Sequence, residues 1–114
     1  MKNIESKIQI ACVNWFRYQY PHLKKLLFSV PNGGARSSIT GAILKAEGAL
    51  SGVADLILLK PNGRYASLCI EMKQPRGVQR ESQREWQKAV EAAGNRYVVC
   101  RSLEEFMREV NGYL

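Results

Sequence analysis

Histidine and aspartate are almost missing from this chain: His22 is the only histidine and Asp55 the only aspartate. A single histidine argues against metal binding by a histidine cluster and against histidine-activated nucleophiles. Cysteine is scarce too. Cys12, Cys69 and Cys100 are odd in number, far apart and set in apolar segments, with no C-x-x-C. That pattern predicts buried free thiols in a reducing cytosol rather than disulfides or zinc ligands. There is no run of about 18 apolar residues, so no transmembrane helix is expected. The opening MKNIESKIQIACVNW lacks a secretory apolar region and carries an acid, which excludes a signal peptide. Internal repeats, low-complexity tracts and linkers are also absent. The expectation is one cytoplasmic domain spanning 1–114, long enough to bury a real core.

Basic residues are in excess. Seventeen Lys and Arg against ten Asp and Glu give a net charge of +7 and a pI of about 9.6. On a domain of this size the excess favours a polyanionic partner, nucleic acid first. Basicity without a specific partner is the plainer alternative.

The richest stretch is GVADLILLKPNGRYASLCIEMK, Gly52 to Lys73. It reads as a strand over Ala54 to Leu59, a Pro61-Asn62-Gly63 turn, and a strand over Tyr65 to Met72. Asp55 lies eight residues before Gly63 and Glu71 eight after it, so a hairpin folded about Gly63 sets the carboxylates opposite each other. Lys73 falls on the same face as Glu71 by strand alternation. Two carboxylates ~4 Å apart at an effective dielectric of ~20 repel by about 4 kcal/mol. A lysine relieves part of that repulsion. A hard divalent cation such as Mg2+ or Mn2+ relieves more. A solvated Glu–Lys pair at a strand end is the ordinary alternative for an isolated E-x-K.

The remaining chain supplies a frame. Asn3 can cap a helix running to Gln19, with Ile4, Ile8, Ala11, Cys12, Trp15 and Phe16 on one apolar face. Glu5 falls within that arc. It either snorkels out from the border or reaches the Asp55/Glu71 site. A strand over Leu26 to Val30 leads into Pro31-Asn32-Gly33-Gly34-Ala35-Arg36. This is not a P-loop, because G-K-[ST] is missing. It is a plain loop, or one whose Asn32, Gly33, Gly34 and Arg36 lie against a phosphate backbone. A helix over Ile39 to Glu47 stops at Gly48. A further helix over Gln79 to Ala93 carries Val78, Trp86, Ala89, Val90 and Ala93 on its inner side, with Gln79 and Gln83 pointing nearly the same way. An inward glutamine needs partners. Arg76, Arg80 and Arg84 form a basic ridge, either solvated or contacting phosphate. Arg96 to Cys100 is a strand. Ser102 and Glu105 make a capping box for a helix through Val110, ended by Gly112. The order α-β-α-β-β-α-β-α predicts an α/β fold around a mixed four-stranded sheet.

This constellation resembles the PD-(D/E)xK nuclease superfamily, and within it the VRR-NUC (virus-type replication-repair nuclease) family. The residues that carry the resemblance are Glu5, Asn32-Gly33, Gly52-Val53-Ala54-Asp55, Glu71-Met72-Lys73 and Gln83, in that order. Ala54 stands where the superfamily has proline, a change that stiffens the backbone less and removes no ligand. The resemblance implies a restriction-endonuclease-like core. It implies that Asp55, Glu71 and the Met72 backbone carbonyl bind Mg2+ or Mn2+, with Glu5 completing the shell directly or through water. Lys73 would orient the attacking water and Gln83 would support the site, so the implied catalytic set is Glu5, Asp55, Glu71, Lys73 and Gln83. It further implies a homodimeric, structure-selective endonuclease acting on four-way (Holliday) junctions or related branched DNA, from a bacterial cell or a phage. A non-catalytic nucleic-acid-binding module retaining the fold is the alternative. A sequence-specific restriction-type enzyme has little room for a base-reading domain in this chain.

Overall fold

The computed structural model describes residues 4–31 and 38–114. Helix α1 (Ile4–Gln19) leads through a short 3-10 turn (Pro21–Leu26) into strand β1 (Leu27–Ser29). Helix α2 (Ser38–Ala46) precedes β2 (Leu56–Leu58) and β3 (Leu68–Met72). Helix α3 (Glu81–Ala92), β4 (Arg96–Cys100) and α4 (Leu103–Tyr113) complete the order. The four strands form one sheet in the order β1-β2-β3-β4. The first three are antiparallel neighbours, and β4 lies parallel to β3, with α3 as the crossover.

The sheet has two different faces. On one, α1 and α4 bury Cys12, Phe16, Phe106 and Val110 against Leu56, Leu58, Leu68, Ile70, Met72, Val98 and Cys100. On the other, Ala54, Cys69 and Tyr97 pack with Ile57, Trp86, Val90 and Val99. Alternation along β3 therefore turns Ile70 and Met72 into the larger core and Glu71 toward α3. An acid is thus buried on that face, 2% exposed.

The hairpin register follows the turn. Leu56 faces Ile70 and Leu58 faces Leu68, a ladder centred on Gly63, whose φ is +89°. One step beyond the last ladder pair, Asp55 faces Glu71. Asn62 serves the turn through its side chain, its Oδ1 accepting from the N–H groups of Arg64 at 2.9 Å and Tyr65 at 2.8 Å. The two strands are shorter than the apolar runs suggest, because the ladder stops where the chain bends on both sides of the turn.

Several expectations change in detail. Pro21 begins a 3-10 turn directly after α1, since its fixed φ suits a first helical position. Helix α3 starts at Glu81, leaving Val78 exposed, and Ala89 and Ala93 are exposed as well. Ile4 is exposed although it continues the apolar spacing of α1. Helix α4 runs past Gly112 to Tyr113. Tyr113 is buried and its hydroxyl donates to Lys60 O at 2.6 Å, an anchor that offsets the helix cost of glycine. Ser102 caps α4 by accepting from Glu105 N at 3.1 Å, but Glu105 reaches back to Arg101 N at 2.7 Å instead of to the cap residue. Asn3, Asn32, Gly33, Gly34 and Arg36 lie outside the described residues.

Candidate functional site

The site lies at the end of β3, on the α3 face. Asp55 comes from the segment entering β2, Glu71 from β3, Lys73 from the residue just beyond β3, and Gln83 from the first turn of α3. Glu71, Lys73 and Gln83 are only 2%, 5% and 4% exposed. Gln83 Nε2 donates to Glu71 Oε2 at 2.7 Å. Lys73 Nζ lies 3.8 Å from the same oxygen. Asp55 Oδ2 accepts from Met72 N at 2.7 Å. The N–H and C=O of one strand residue project from the same edge. The Met72 carbonyl therefore leaves β3 on the Asp55 side.

The other oxygen of Glu71 is different. No protein donor reaches Oε1, the one buried side-chain polar atom without a partner among the described residues. Asp55 is close enough to exchange a hydrogen bond with Glu71, which two ionised carboxylates cannot do. Burial first, and the Asp55 charge second, push the Glu71 carboxyl up to about 8, against the pull of Lys73 and Arg80. Burial also raises Asp55, in spite of the bond from Met72 N. Either a shared proton or a cation must stand between these carboxylates, because neither desolvated charge tolerates the other alone. Two carboxylate oxygens and a carbonyl form a hard donor set of the kind Mg2+ and Mn2+ take.

Glu5 sits at the margin. Its Oε2 accepts a long 3.4 Å bond from Gln74 N, directly after Lys73, and its charge is felt at Asp55. It borders the site, but among the described residues no third acidic, histidine or cysteine side chain joins Asp55 and Glu71 in a preformed cluster. The two inward glutamines separate clearly. Gln83 bonds Glu71, and its Oε1 accepts from Arg80 N at 2.8 Å. Gln79 Nε2 instead donates to Gln87 Oε1 at 3.0 Å and to the Tyr97 hydroxyl at 3.2 Å.

Of the basic ridge, Arg76 is exposed in the lead-in and Arg80 occupies the cap position of α3. Arg84 curls back to donate to Gln79 O at 2.7 Å. Arg80 acts on Glu71 as well as facing solvent, since its charge lowers the Glu71 pKa. Arg101 was invisible in the sequence. Its Nη2 donates to Gly77 O at 2.8 Å, pinning the loop that follows Lys73 against the end of β4. Nothing local marks it, because its partner lies 24 residues upstream. Gly52 also gains a reason. Its φ is +88°, and a Cβ there would meet Ser82 O at 2.3 Å and Gln83 N at 3.0 Å. The loop before Asp55 thus presses directly on the start of α3, which fixes the depth of Gln83. The cysteines are buried and free. Burial lifts the Cys12 and Cys100 thiols to about 12, so neither is a nucleophile near neutral pH.

The family model for the VRR-NUC domain matches residues 3–104. The chain belongs to the VRR-NUC family. The fold agrees: a solved VRR-NUC domain protein aligns with a TM-score of 0.85 at 23% identity, covering 100% of this chain and 91% of that one. Among curated proteins none matches the chain. The VRR-NUC assignment gives this α/β core a nuclease-type fold, and the cluster of Asp55, Glu71, Lys73 and Gln83 is the chemically unusual feature on it. Among the described residues no helix is long and apolar enough to cross a membrane.

Proposed function

We propose that this VRR-NUC domain is a Mg2+- or Mn2+-dependent DNA endonuclease, structure-selective, that hydrolyses phosphodiester bonds in four-way junctions or related branched DNA. The observation that carries the reading is buried Glu71 facing half-buried Asp55, with Glu71 Oε1 left without a donor and Lys73 beside its other oxygen. An acid so placed destabilises the fold unless a ligand uses it. Asp55, Glu71 and the Met72 carbonyl would hold the cation, with Glu5 joining directly or through water. When bound, the cation supplies a Lewis acid for the phosphoryl oxygen and lowers the pKa of a coordinated water. The chain's own groups do the rest. Lys73 presents its ammonium to the reacting phosphate and orients the attacking water. Gln83 holds Glu71 in one rotamer. The loop pinned by Arg101 keeps Lys73 at the strand end. Arg76, Arg80 and Arg84 contact flanking phosphates, and Asn32, Gly33, Gly34 and Arg36 add further phosphate contacts.

Two symmetric cuts across a junction need two sites, which favours a homodimer. The exposed apolar side chains Ile39 and Ile43 of α2, with Leu50 just after it, support a second copy as neighbour. The alternative is a nucleic-acid-binding module without catalysis. Its support is that Glu5 stays outside a three-acid cluster among the described residues.

The test is cleavage of labelled four-way junction, flap and linear duplex DNA with Mg2+, Mn2+ or EDTA, with Lys73→Ala as control. The expected result is metal-dependent cutting of the branched substrates that disappears in Lys73→Ala while DNA binding persists. Binding without cutting on every substrate would select the module. Equal cutting of linear and branched DNA would remove structure selectivity.

A further inference from the structure

A groove runs along the free edge of the sheet, between α1 and β1; Asp55 and Glu71 are not in its lining, and Glu5, which borders their site, is its nearest member. It encloses about 420 Å3. Glu5 stands at one end and Arg17 at the other, with Ile10, Val13 and Phe28 among the lining side chains. Twelve residues separate Glu5 from Arg17 on α1, which is ~18 Å of helix.

Phe28 is the unusual member. It faces Ile57 across the β1–β2 ladder, and the next pair on that edge is closed by Val30 N donating to Asp55 O at 2.9 Å. Phe28 therefore stands on the same face of the sheet as Asp55, one diagonal step away, a spacing of roughly 7–8 Å. Its ring belongs to neither apolar cluster and is 42% exposed, and Ile10 across the groove is 58% exposed. Around them, the side chains of Gln9, Asn14 and Arg17 have no hydrogen-bond or ionic partner among the described residues. An open aromatic ring, free amides and an unpaired guanidinium beside a phosphate-processing site are the elements with which proteins hold unstacked bases.

We infer that this groove holds an unpaired nucleotide of the DNA strand next to the carboxylate pair, its base stacked on Phe28 and a following phosphate near Arg17. The inference rests on the nuclease reading and deepens it. It makes Phe28 a positioning residue and gives selectivity for branched DNA a physical source. A branch point offers an unstacked base at little cost, whereas a continuous duplex must break a stacked pair to fill the groove.

The experiment uses a flap DNA carrying 2-aminopurine in the unpaired strand beside the branch, and a linear duplex of equal length. Fluorescence and binding are read in EDTA, and cleavage of the same flap is read separately with Mg2+ or Mn2+. Wild-type protein should quench the 2-aminopurine. Phe28→Ala should abolish the quenching and weaken flap binding about fivefold to a hundredfold, while linear-duplex affinity stays within about twofold. Phe28→Trp should keep the quenching. Unchanged quenching and affinity in Phe28→Ala would overturn the inference. So would an equal loss on both DNAs with conversion of a dimer to monomers in sedimentation, which would give the groove to a second copy of the chain. Cutting without quenching overturns the inference and leaves the nuclease reading intact. Quenching without cutting supports the inference and removes the catalytic reading.

Discussion

Alanine at Gly52 should be far more harmful than alanine at Gly63, although both glycines have nearly the same backbone conformation. Their φ values are +88° and +89°. An L-residue in that region costs about 1–2 kcal/mol at either position. The surroundings differ. At Gly63 an added Cβ meets nothing within 4 Å, whereas at Gly52 it would sit 2.3 Å from Ser82 O and 2.5 Å from Ser82 C. Both of those atoms are backbone at the start of α3, so relief requires the helix to retreat. Overpacking of this kind adds about 1–3 kcal/mol, giving roughly 2–5 kcal/mol at Gly52 against about 1–2 at Gly63. For 114 residues, an unfolding entropy of about 2.1 cal/mol/K per residue makes 1 kcal/mol worth about 4 °C. Thermal melts followed by circular dichroism should therefore fall by about 8–20 °C for Gly52→Ala and about 4–8 °C for Gly63→Ala. A retreating α3 also draws Gln83 off Glu71, so Gly52→Ala should lose activity beyond what its stability explains. Equal shifts for the two variants, or a shift under about 3 °C at Gly52, would refute the close approach.

Three further outcomes are expected. Without metal, the protein should become less stable as pH rises from about 5 to 8. The folded Glu71 keeps its proton up to about 8 while the unfolded chain releases it near 4.5. The native state thus binds more protons across that window, and stability falls by up to about 1.4 kcal/mol per pH unit. Urea midpoints in EDTA should show this slope, and Glu71→Gln should flatten it. Gln83→Ala should cost about 1–3 kcal/mol, because it strips the buried Glu71 Oε2 of its amide donor and the part-buried Arg80 N of its acceptor. Gln79→Ala should cost less, its bonds being only part-buried, and a reversed order in chemical denaturation would contradict the assignment of Gln83. Arg76→Ala should lower the salt dependence of DNA binding by about 0.9 in log–log slope and leave turnover at saturation unchanged. Arg80→Ala should affect both, since its charge also favours the ionised form of Glu71.

The hairpin shows how much of this chain can be read from local pattern. Turn chemistry at Pro61-Asn62-Gly63 and a period of two in the flanking strands set the register, so Asp55 and Glu71 face each other before any tertiary contact is considered. The strand from Arg96 to Cys100 and helix α1 were legible for the same reason: their periodicity lies within a few consecutive residues. The choice between Gln79 and Gln83 was not legible from direction, because a helix turn separates them and both point inward. It depends on where α3 starts, and that depends on Gly52 letting the loop meet Ser82. The exposure of Phe28 follows from β1 being an edge strand, which no local pattern reports. Arg101 meets Gly77 only because β4 lies beside β3.

The sequence by itself determined the elements, the hairpin register and the chemical identity of the acid–acid–lysine set, since each depends on spacing along the chain. Only the tertiary structure decided which glutamine touches Glu71, that Glu5 stops at the margin, and that Glu71 Oε1 is buried without a donor. Those are distances and exposures between separate elements, set by how helices and sheet pack and not by any residue's neighbours in the chain.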